Sequence, residues 1–200
     1  MGFDFDQVKS LLKEAVRESF DAVKAENPTE KFYAFALYDA DGDAVSPSAN
    51  TEEHYQAIVA RQSLDQSDDR FMYRWGTAEW KHERFGYRPF KPYFAVLESA
   101  SRDDYLEFQV QSYGASVFAL KELADEGYFG RGEDQLTVFF TLSDDENAAW
   151  LGLDSARRIN PPELFAAFEP EWELCSRKTW GDTAPTAELP HAFQRAFGSP

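Results

Sequence analysis

Three ionisable side chains, Glu79, His82 and Glu83, lie close enough along the chain to work together as a general acid and a general base. Residues three or four apart meet on one face of a helix, so a helix here would bring these groups together. Histidine and glutamate are common proton donors and acceptors in enzymes. Charged side chains also share helix surfaces routinely without catalysing a reaction. An enzyme of unrecognised type acting through these residues is therefore the alternative hypothesis, and no catalytic residue is assigned.

Other residues that often carry chemistry form no recognised motif. The run Asp39–Asp43 alternates carboxylates as a calcium loop does, but its glycine is fourth and Asn50 stands at the twelfth position. A calcium-binding loop places glycine sixth and glutamate twelfth, whereas a turn between strands explains the same residues. Ser116 has Gly114 before it but lacks the second glycine of a nucleophile elbow, and Cys175 has no histidine near it in sequence. We therefore predict neither a metal nor a cofactor.

Tryptophans beside carboxylates are the pattern that most favours a binding function. Large aromatic side chains anchor protein interfaces, and surrounding charges steer the partner towards them. The segments Arg74–Trp80 and Glu169–Glu173 both combine these residue types. Aromatic side chains at this density also fill protein cores, which is the alternative interpretation. The candidate partner-binding residues are Trp75, Glu79, Trp80, Glu171, Trp172 and Glu173.

The net charge indicates what kind of partner such a surface would accept. The chain has 36 acidic and 20 basic residues, which gives a formal net charge of −16 at pH 7. This charge repels nucleic acid and anionic membranes, and no cluster of Lys or Arg offsets it. A basic protein is the natural partner, although solubility alone can also account for an acidic surface. We predict a module that sequesters a basic protein, with no nucleic-acid or membrane partner.

Length and composition indicate one domain in the cytoplasm. A chain of 200 residues with 43% hydrophobic and 16% aromatic residues is large enough to bury a core of its own. The single cysteine cannot form an internal disulfide, which fits a reducing compartment. The first residues do not read as a signal peptide, and no apolar run reaches membrane-spanning length. We predict one globular domain over residues 1–200, with 180–200 as a loosely docked tail.

The elements expected to position these residues belong to an α+β fold. Apolar residues at helical spacing predict a helix over 4–24, and the apolar run Lys31–Tyr38 predicts a strand covered on both faces. A short return strand over 44–46 would complete a hairpin. Thr51 followed by two glutamates predicts a helix to about Gln62. A short strand is expected near Tyr73.

The second half of the chain predicts more helices and one further strand. The expected elements are helices over 93–124 broken near 99–102, a strand over 135–142, a helix from Ser143 to about Arg158, a short helix after Pro161-Pro162, and a last short helix containing Phe193 and Phe197. With one hairpin and one further strand, the expected architecture is a small, mainly antiparallel sheet packed with several helices.

Three segments, Phe32–Tyr38, Pro47–Glu53 and Arg74–Trp80, resemble a bacterial family catalogued as a domain of unknown function. The similarity extends over most of the chain and is clearest in its first half. It implies a bacterial source and a stand-alone domain of about this length, and it supplies no catalytic residues. Small acidic domains of this type are also associated with immunity proteins, which neutralise toxins passed between competing bacteria.

Overall fold

A computed structural model describes residues 2–39, 45–143, 145–181 and 185–200 of the chain. The strands are β1 (Phe32–Asp39), β2 (Val45–Thr51) and β3 (Thr137–Leu142). The helices in this part of the chain are α1 (Phe5–Glu26), α2 (Glu52–Gln62), α3 (Arg70–Trp75), α4 (Lys91–Ser99), α5 (Tyr105–Asp125), α6 (Ala148–Ile159), α7 (Pro162–Trp180) and α8 (Glu188–Phe197). Short 3₁₀ turns lie at Thr77–Glu79, Arg88–Phe90 and Gly132–Asp134. The α+β class is confirmed.

The two helices that bracket β1 and β2 begin where their capping residues predict. The side chain of Asp4 accepts a hydrogen bond from the backbone N–H of Gln7 (3.0 Å) at the start of α1. The Thr51 hydroxyl likewise accepts from the N–H of His54 (3.3 Å) at the start of α2. An apolar face that includes Leu12 and Phe20 buries α1 against the sheet. Local sequence is therefore sufficient to define both helices.

The sheet has the strand order β2-β1-β3, so β1 is the central strand, as its apolar sequence predicts. β1 and β2 form the expected antiparallel hairpin, in which Leu37 pairs with Pro47. β3 runs parallel to β1, with Ala36 paired to Phe139. The sheet is therefore mixed, because β3 follows β2 by a long helical connection rather than by a second hairpin.

Helices cover both faces of the sheet. Phe35 and Leu37 of β1 and Phe140 of β3 pack on one face against α1, α4 and α5. Ala36 and Phe139 point to the opposite face, where they meet α3 and α7. Side chains alternate along each strand, so the two layers of helices pack against different residues of the same strands. We call the second layer the tryptophan face, because Trp75, Trp80 and Trp172 are buried there.

Side chains and a neighbouring loop occupy the edges of the sheet. At the β3 edge, Asn160 bonds both the N–H (2.8 Å) and the carbonyl (2.7 Å) of Val138. Ser155 bonds the N–H (2.9 Å) and the carbonyl (2.8 Å) of Phe140 in the same way. At the β2 edge, Ala49 exchanges two backbone hydrogen bonds with His82. These contacts satisfy strand groups that would otherwise offer a template for another chain.

Three local predictions were wrong. The segment around Tyr73 is the helix α3 rather than a strand, because Phe71 and Trp75 are one helical turn apart and both enter the tryptophan face. The helix expected from Ser143 begins at Ala148 instead. The helix after Pro161 is not short, since α7 has 19 residues and continues through Pro170.

The end of the chain also folds back onto the domain. Leu189 and Phe193 of α8 are buried in the main core, and Phe193 packs edge-on against Trp150 at 5.8 Å between ring centroids. The ring of Phe197 occupies the space above Gly114, a position on α5 where a larger side chain would clash. Among the residues that the structure describes, no helix has the length and apolar character needed to cross a membrane.

Candidate functional site

A cleft of about 250 Å³ opens where β1 and β3 end. Tyr38 of β1 and Thr141 and Leu142 of β3 form part of its wall. Parallel neighbours end at the same edge of a sheet, and the space outside their carboxyl ends is the usual place for a binding site in α/β sheets. The described residues that line the cleft are Tyr38, Met72, Trp75, Gly76, Thr77, Ala78, Glu79, Glu83, Arg84, Thr141, Leu142, Ser143, Trp172, Thr179 and Trp180.

Three tryptophans give the cleft an aromatic wall. Trp75 comes from α3, whereas Trp172 and Trp180 come from one side of α7 and lie 5.9 Å apart between ring centroids. The indole N–H of Trp172 donates to the carbonyl of Ala149 (2.9 Å). The indole N–H of Trp75 donates to Glu171 (2.8 Å). These bonds hold the rings of Trp75 and Trp172 in one orientation.

Two carboxylates lie on the rim of the cleft. The Tyr38 hydroxyl donates a hydrogen bond to Glu83 Oε1 (2.9 Å). Burial raises the pKa of Tyr38, and the nearby Glu83 carboxylate raises it further. The hydroxyl therefore stays protonated and can hold Glu83 through this hydrogen bond. Glu79 is exposed at the end of a 3₁₀ turn. Arg84 adds a positive charge, and its backbone is left-handed at φ 52°.

The structure separates the six candidate partner-binding residues into two groups. Trp75, Glu79 and Trp172 line the cleft. Trp80, Glu171 and Glu173 are absent from its lining. The side chains of Trp75, Trp80 and Trp172 are only 3%, 4% and 1% exposed, so these rings belong to the core rather than to an open surface. These three tryptophans therefore do not provide exposed anchors for a partner. Partner binding by the six residues remains a prediction.

Glu171 belongs to a second cluster, centred on Arg74. The guanidinium of Arg74 lies 4.6 Å from the ring centroid of Tyr33 and 4.9 Å from that of Tyr55. It also pairs with Glu52 (3.4 Å) and Glu171 (3.2 Å). The cation is therefore held between aromatic rings and two carboxylates. This cluster joins α2, α3 and α7 and is a structural contact of the tryptophan face.

The structure does not assemble the acid/base cluster of the alternative hypothesis. No helix carries the three residues, because the 3₁₀ turn ends at Glu79 and His82 follows it in extended backbone that pairs with Ala49. Glu79 and Glu83 line the cleft, but His82 is outside its lining. The His82 ring instead lies 3.4 Å from a Glu30 oxygen. Burial lowers the pKa of His82, and Glu30 only partly opposes that effect.

The remaining reactive residue types have structural roles. Cys175 is fully buried in the tryptophan face, and burial raises the pKa of its thiol to about 12, so it is not a ready nucleophile. The Ser116 hydroxyl is buried and donates to the carbonyl of Ser112 (3.0 Å) within α5. No group of three or more His, Cys, Asp or Glu side chains in the described ranges could hold a metal ion. Most of the Asp39–Asp43 turn lies outside those ranges.

The list of candidate partner-binding residues did not include Tyr38, Arg84 or Trp180, although Trp180 belongs to the same pattern of tryptophans near carboxylates. Tyr38 is the penultimate residue of β1, so its position at a strand end is visible in the sequence. That position indicates a site only when a parallel neighbour ends beside it, and the expected sheet was mainly antiparallel. Trp180 reaches the cleft because α7 is longer than predicted. For Tyr38 and Trp180, the missing information was the tertiary packing of the strands and helices.

The fold and the site define an α+β domain whose aromatic-walled, carboxylate-rimmed cleft lies at the ends of a parallel strand pair. The chain belongs to the family described as Domain of unknown function (DUF4303), whose model matches residues 12–161. This confirms the resemblance carried by the segments between Phe32 and Trp80. No curated protein and no solved structure matches the chain. Helices α7 and α8 lie beyond the matched residues, although α7 supplies two tryptophans of the cleft.

Proposed function

We propose that this protein is a binding module that sequesters a basic protein in the bacterial cytoplasm, as an immunity protein does. The observation that carries the proposal is the cleft, whose lining combines a tryptophan wall with the carboxylates of Glu79 and Glu83. Aromatic faces and carboxylates both attract cations, and the attraction is strongest where water is partly excluded. A cationic side chain of a partner suits this environment.

The charge of the whole chain supports the same proposal. A formal net charge of −16 raises the local concentration of basic proteins and speeds their association. It also opposes nucleic acid, whose backbone carries the same sign of charge. A protein that normally binds nucleic acid has a basic surface of the required kind. A nuclease toxin is thus the partner class that best fits, with carboxylates of this chain in the place of phosphates.

The test is affinity capture from source cells with three forms of the protein. The first is wild type, the second is Glu79→Gln/Glu83→Gln, and the third is Glu14→Gln/Glu18→Gln. The last pair removes the same charge from exposed positions on α1, which packs on the opposite face of the sheet. Mass spectrometry identifies what each form retains, at low and then at moderate salt.

We expect one basic protein to be retained by wild type and by the α1 variant, released as salt rises, and lost by the cleft variant. The purified partner must then bind the purified chain directly and lose its own activity in the complex. Equal retention by the cleft variant and the α1 variant would remove the cleft from the interface. Failure to retain any basic protein with any form contradicts the proposal.

A further inference from the structure

We infer that the group recognised in the cleft is the side chain of one arginine of the partner. This inference rests on the proposed function and specifies the chemistry of the same site. Its first support is size. A cleft of about 250 Å³ is smaller than the roughly 300–1,000 Å³ of pockets for drug-sized ligands and cofactors. The cleft accommodates a single long side chain that projects from the surface of the partner.

The second support is the charge of the lining. Glu79 and Glu83 contribute two formal negative charges and Arg84 one positive charge, while the Tyr38 hydroxyl is neutral. The described lining residues therefore carry one uncompensated negative charge. One incoming cation neutralises it, and a second would be repelled by Arg84. The cleft thus matches a single basic side chain in charge as well as in size.

The third support distinguishes arginine from lysine. A guanidinium is planar, stacks on aromatic rings, and has five N–H donors that can serve two carboxylates at once. Tyr38 donates to Oε1 of Glu83, which leaves Oε2 of that carboxylate as an acceptor, and Glu79 offers a second carboxylate on the rim. A lysine ammonium is compact and strongly hydrated, so it gains less from an aromatic wall.

The chain itself contains an example of this mode of recognition. Arg74 lies 5.3 Å from the ring of Trp75, close to two tyrosine rings, and pairs with two carboxylates. Trp75 is shared, because it contacts Arg74 and also lines the cleft. The lining of the cleft likewise combines aromatic rings with two carboxylates, and it surrounds an open cavity. We therefore assign a guanidinium to that space.

The experiment titrates the protein with three N-acetylated, C-amidated peptides of sequence Gly-X-Gly, in which X is arginine, lysine or citrulline. Citrulline has nearly the shape of arginine without its charge. Binding is followed by the NMR signals of the indole N–H groups, among which those of Trp172 and Trp180 report on the cleft wall. We expect the arginine peptide to shift these two signals with a dissociation constant on the order of 1 mM.

We expect the lysine peptide to bind about fivefold more weakly and the citrulline peptide to cause no shift. Glu79→Gln/Glu83→Gln should abolish the shift, and Glu14→Gln/Glu18→Gln should leave it unchanged. Lysine binding as tight as arginine binding overturns the assignment. A shift that survives loss of both cleft carboxylates overturns it as well, as does the absence of any shift at 20 mM arginine peptide.

A decalysine peptide separates this inference from the proposed function. One outcome is that decalysine binds wild type and the cleft variant equally while the arginine peptide does not bind. In that case the acidic surface recognises basic chains, so the proposed function stands and the arginine assignment fails. If neither peptide binds wild type, both proposals fail. Binding of both peptides to wild type, with arginine binding lost in the cleft variant, supports the two together.

Discussion

At the scale of single residues, individual tryptophan side chains both pack in the core and line the cleft. Trp172 is a core residue by burial, yet one part of its ring is in the wall of the cleft. The same holds for Trp75, which is buried, contacts Arg74 and also lines the cleft. The sequence alone indicated that tryptophans lie close to carboxylates along the chain. It could not indicate which rings are buried, because burial depends on α7 closing over β3.

Gly152 allows α6 and α7 to approach each other. A Cβ atom at this position would overlap the six-membered ring of Trp172. Movement of the ring away from this atom would break the hydrogen bond from Trp172 to Ala149. We expect Gly152→Ala to lower the free energy of unfolding by about 1–2 kcal/mol, because the overlap outweighs the gain in helix propensity. Urea unfolding measures the change.

The double variant Gly152→Ala/Trp172→Phe provides the control for this prediction. A phenylalanine ring is smaller, so it relieves part of the overlap at its own cost in packing. The two losses should sum to more than the loss of the double variant. An unchanged unfolding midpoint for Gly152→Ala would show that α6 and α7 are not in contact at this residue.

At the scale of elements, the sequence predicted what local patterns determine. α1 and α2 have capping residues and helical apolar spacing, and β1 has a continuous apolar run, so each was recognised. The segment Arg70–Trp75 was misread because its aromatic residues favour strands locally. It is helical because only helical spacing sends Phe71 and Trp75 to the same face.

α7 shows why the length of an element can escape prediction. Proline at position 170 removes one backbone donor and normally ends or kinks a helix. Here Pro170 and the preceding turn at Ala166 are exposed, so the carbonyl that loses its partner remains open to solvent. Burial of Phe168, Trp172 and Cys175 stabilises the helix on either side of the proline. Packing therefore outweighs the local preference.

We expect the loop that pairs with the edge of β2 to make the stability of the domain depend on pH. The ring of His82 is partly buried beside Glu30, Lys81 ion-pairs with the same glutamate, and burial lowers the pKa of His82. The unfolded chain, with an ordinary histidine pKa near 6.5, therefore takes up the proton more readily than the folded chain. The stability that this histidine contributes is present above pH 6.5 and is lost as the pH falls from that value through the lower pKa of the folded chain.

We expect His82→Gln to reduce the difference in unfolding free energy between pH 7.5 and pH 5.5. The control is His191→Gln, which changes an exposed histidine on α8 and should leave that difference as in wild type. Chemical denaturation at the two pH values measures it. The same pH dependence in wild type and His82→Gln would mean that the histidine does not titrate with folding.

At the scale of the whole molecule, the tryptophan face requires α7. Phe168 and Trp172 of α7 pack on Phe139 of β3 with ring centroids 5.3 Å and 5.1 Å apart. The match to the family model ends at residue 161, before α7 begins. The matched residues alone thus leave this face of the sheet with α3 and Trp80 but without α7, although they include all three described strands.

A chain that ends at residue 161 should therefore fail to fold cooperatively. Exposed Trp75 and Phe139 would bind a hydrophobic dye, and the near-ultraviolet circular dichroism of packed aromatic rings would be lost. A chain that ends at Gly181 retains α7 and loses only α8, and we expect it to keep a cooperative unfolding transition. If the shorter chain unfolds as cooperatively as the full chain, α7 is an accessory to the domain and not part of its core.

The parallel pairing of β1 with β3 also determines when the domain can form during synthesis. Ala34 and Thr137 are paired but are 103 residues apart in the chain. A ribosome adds about 5–20 residues per second, so β1 emerges roughly 5–20 s before its parallel partner β3 has been synthesised. For that interval the apolar strand has only its hairpin partner. The nascent chain is then most exposed to chaperones and to aggregation, well before any cleft has formed.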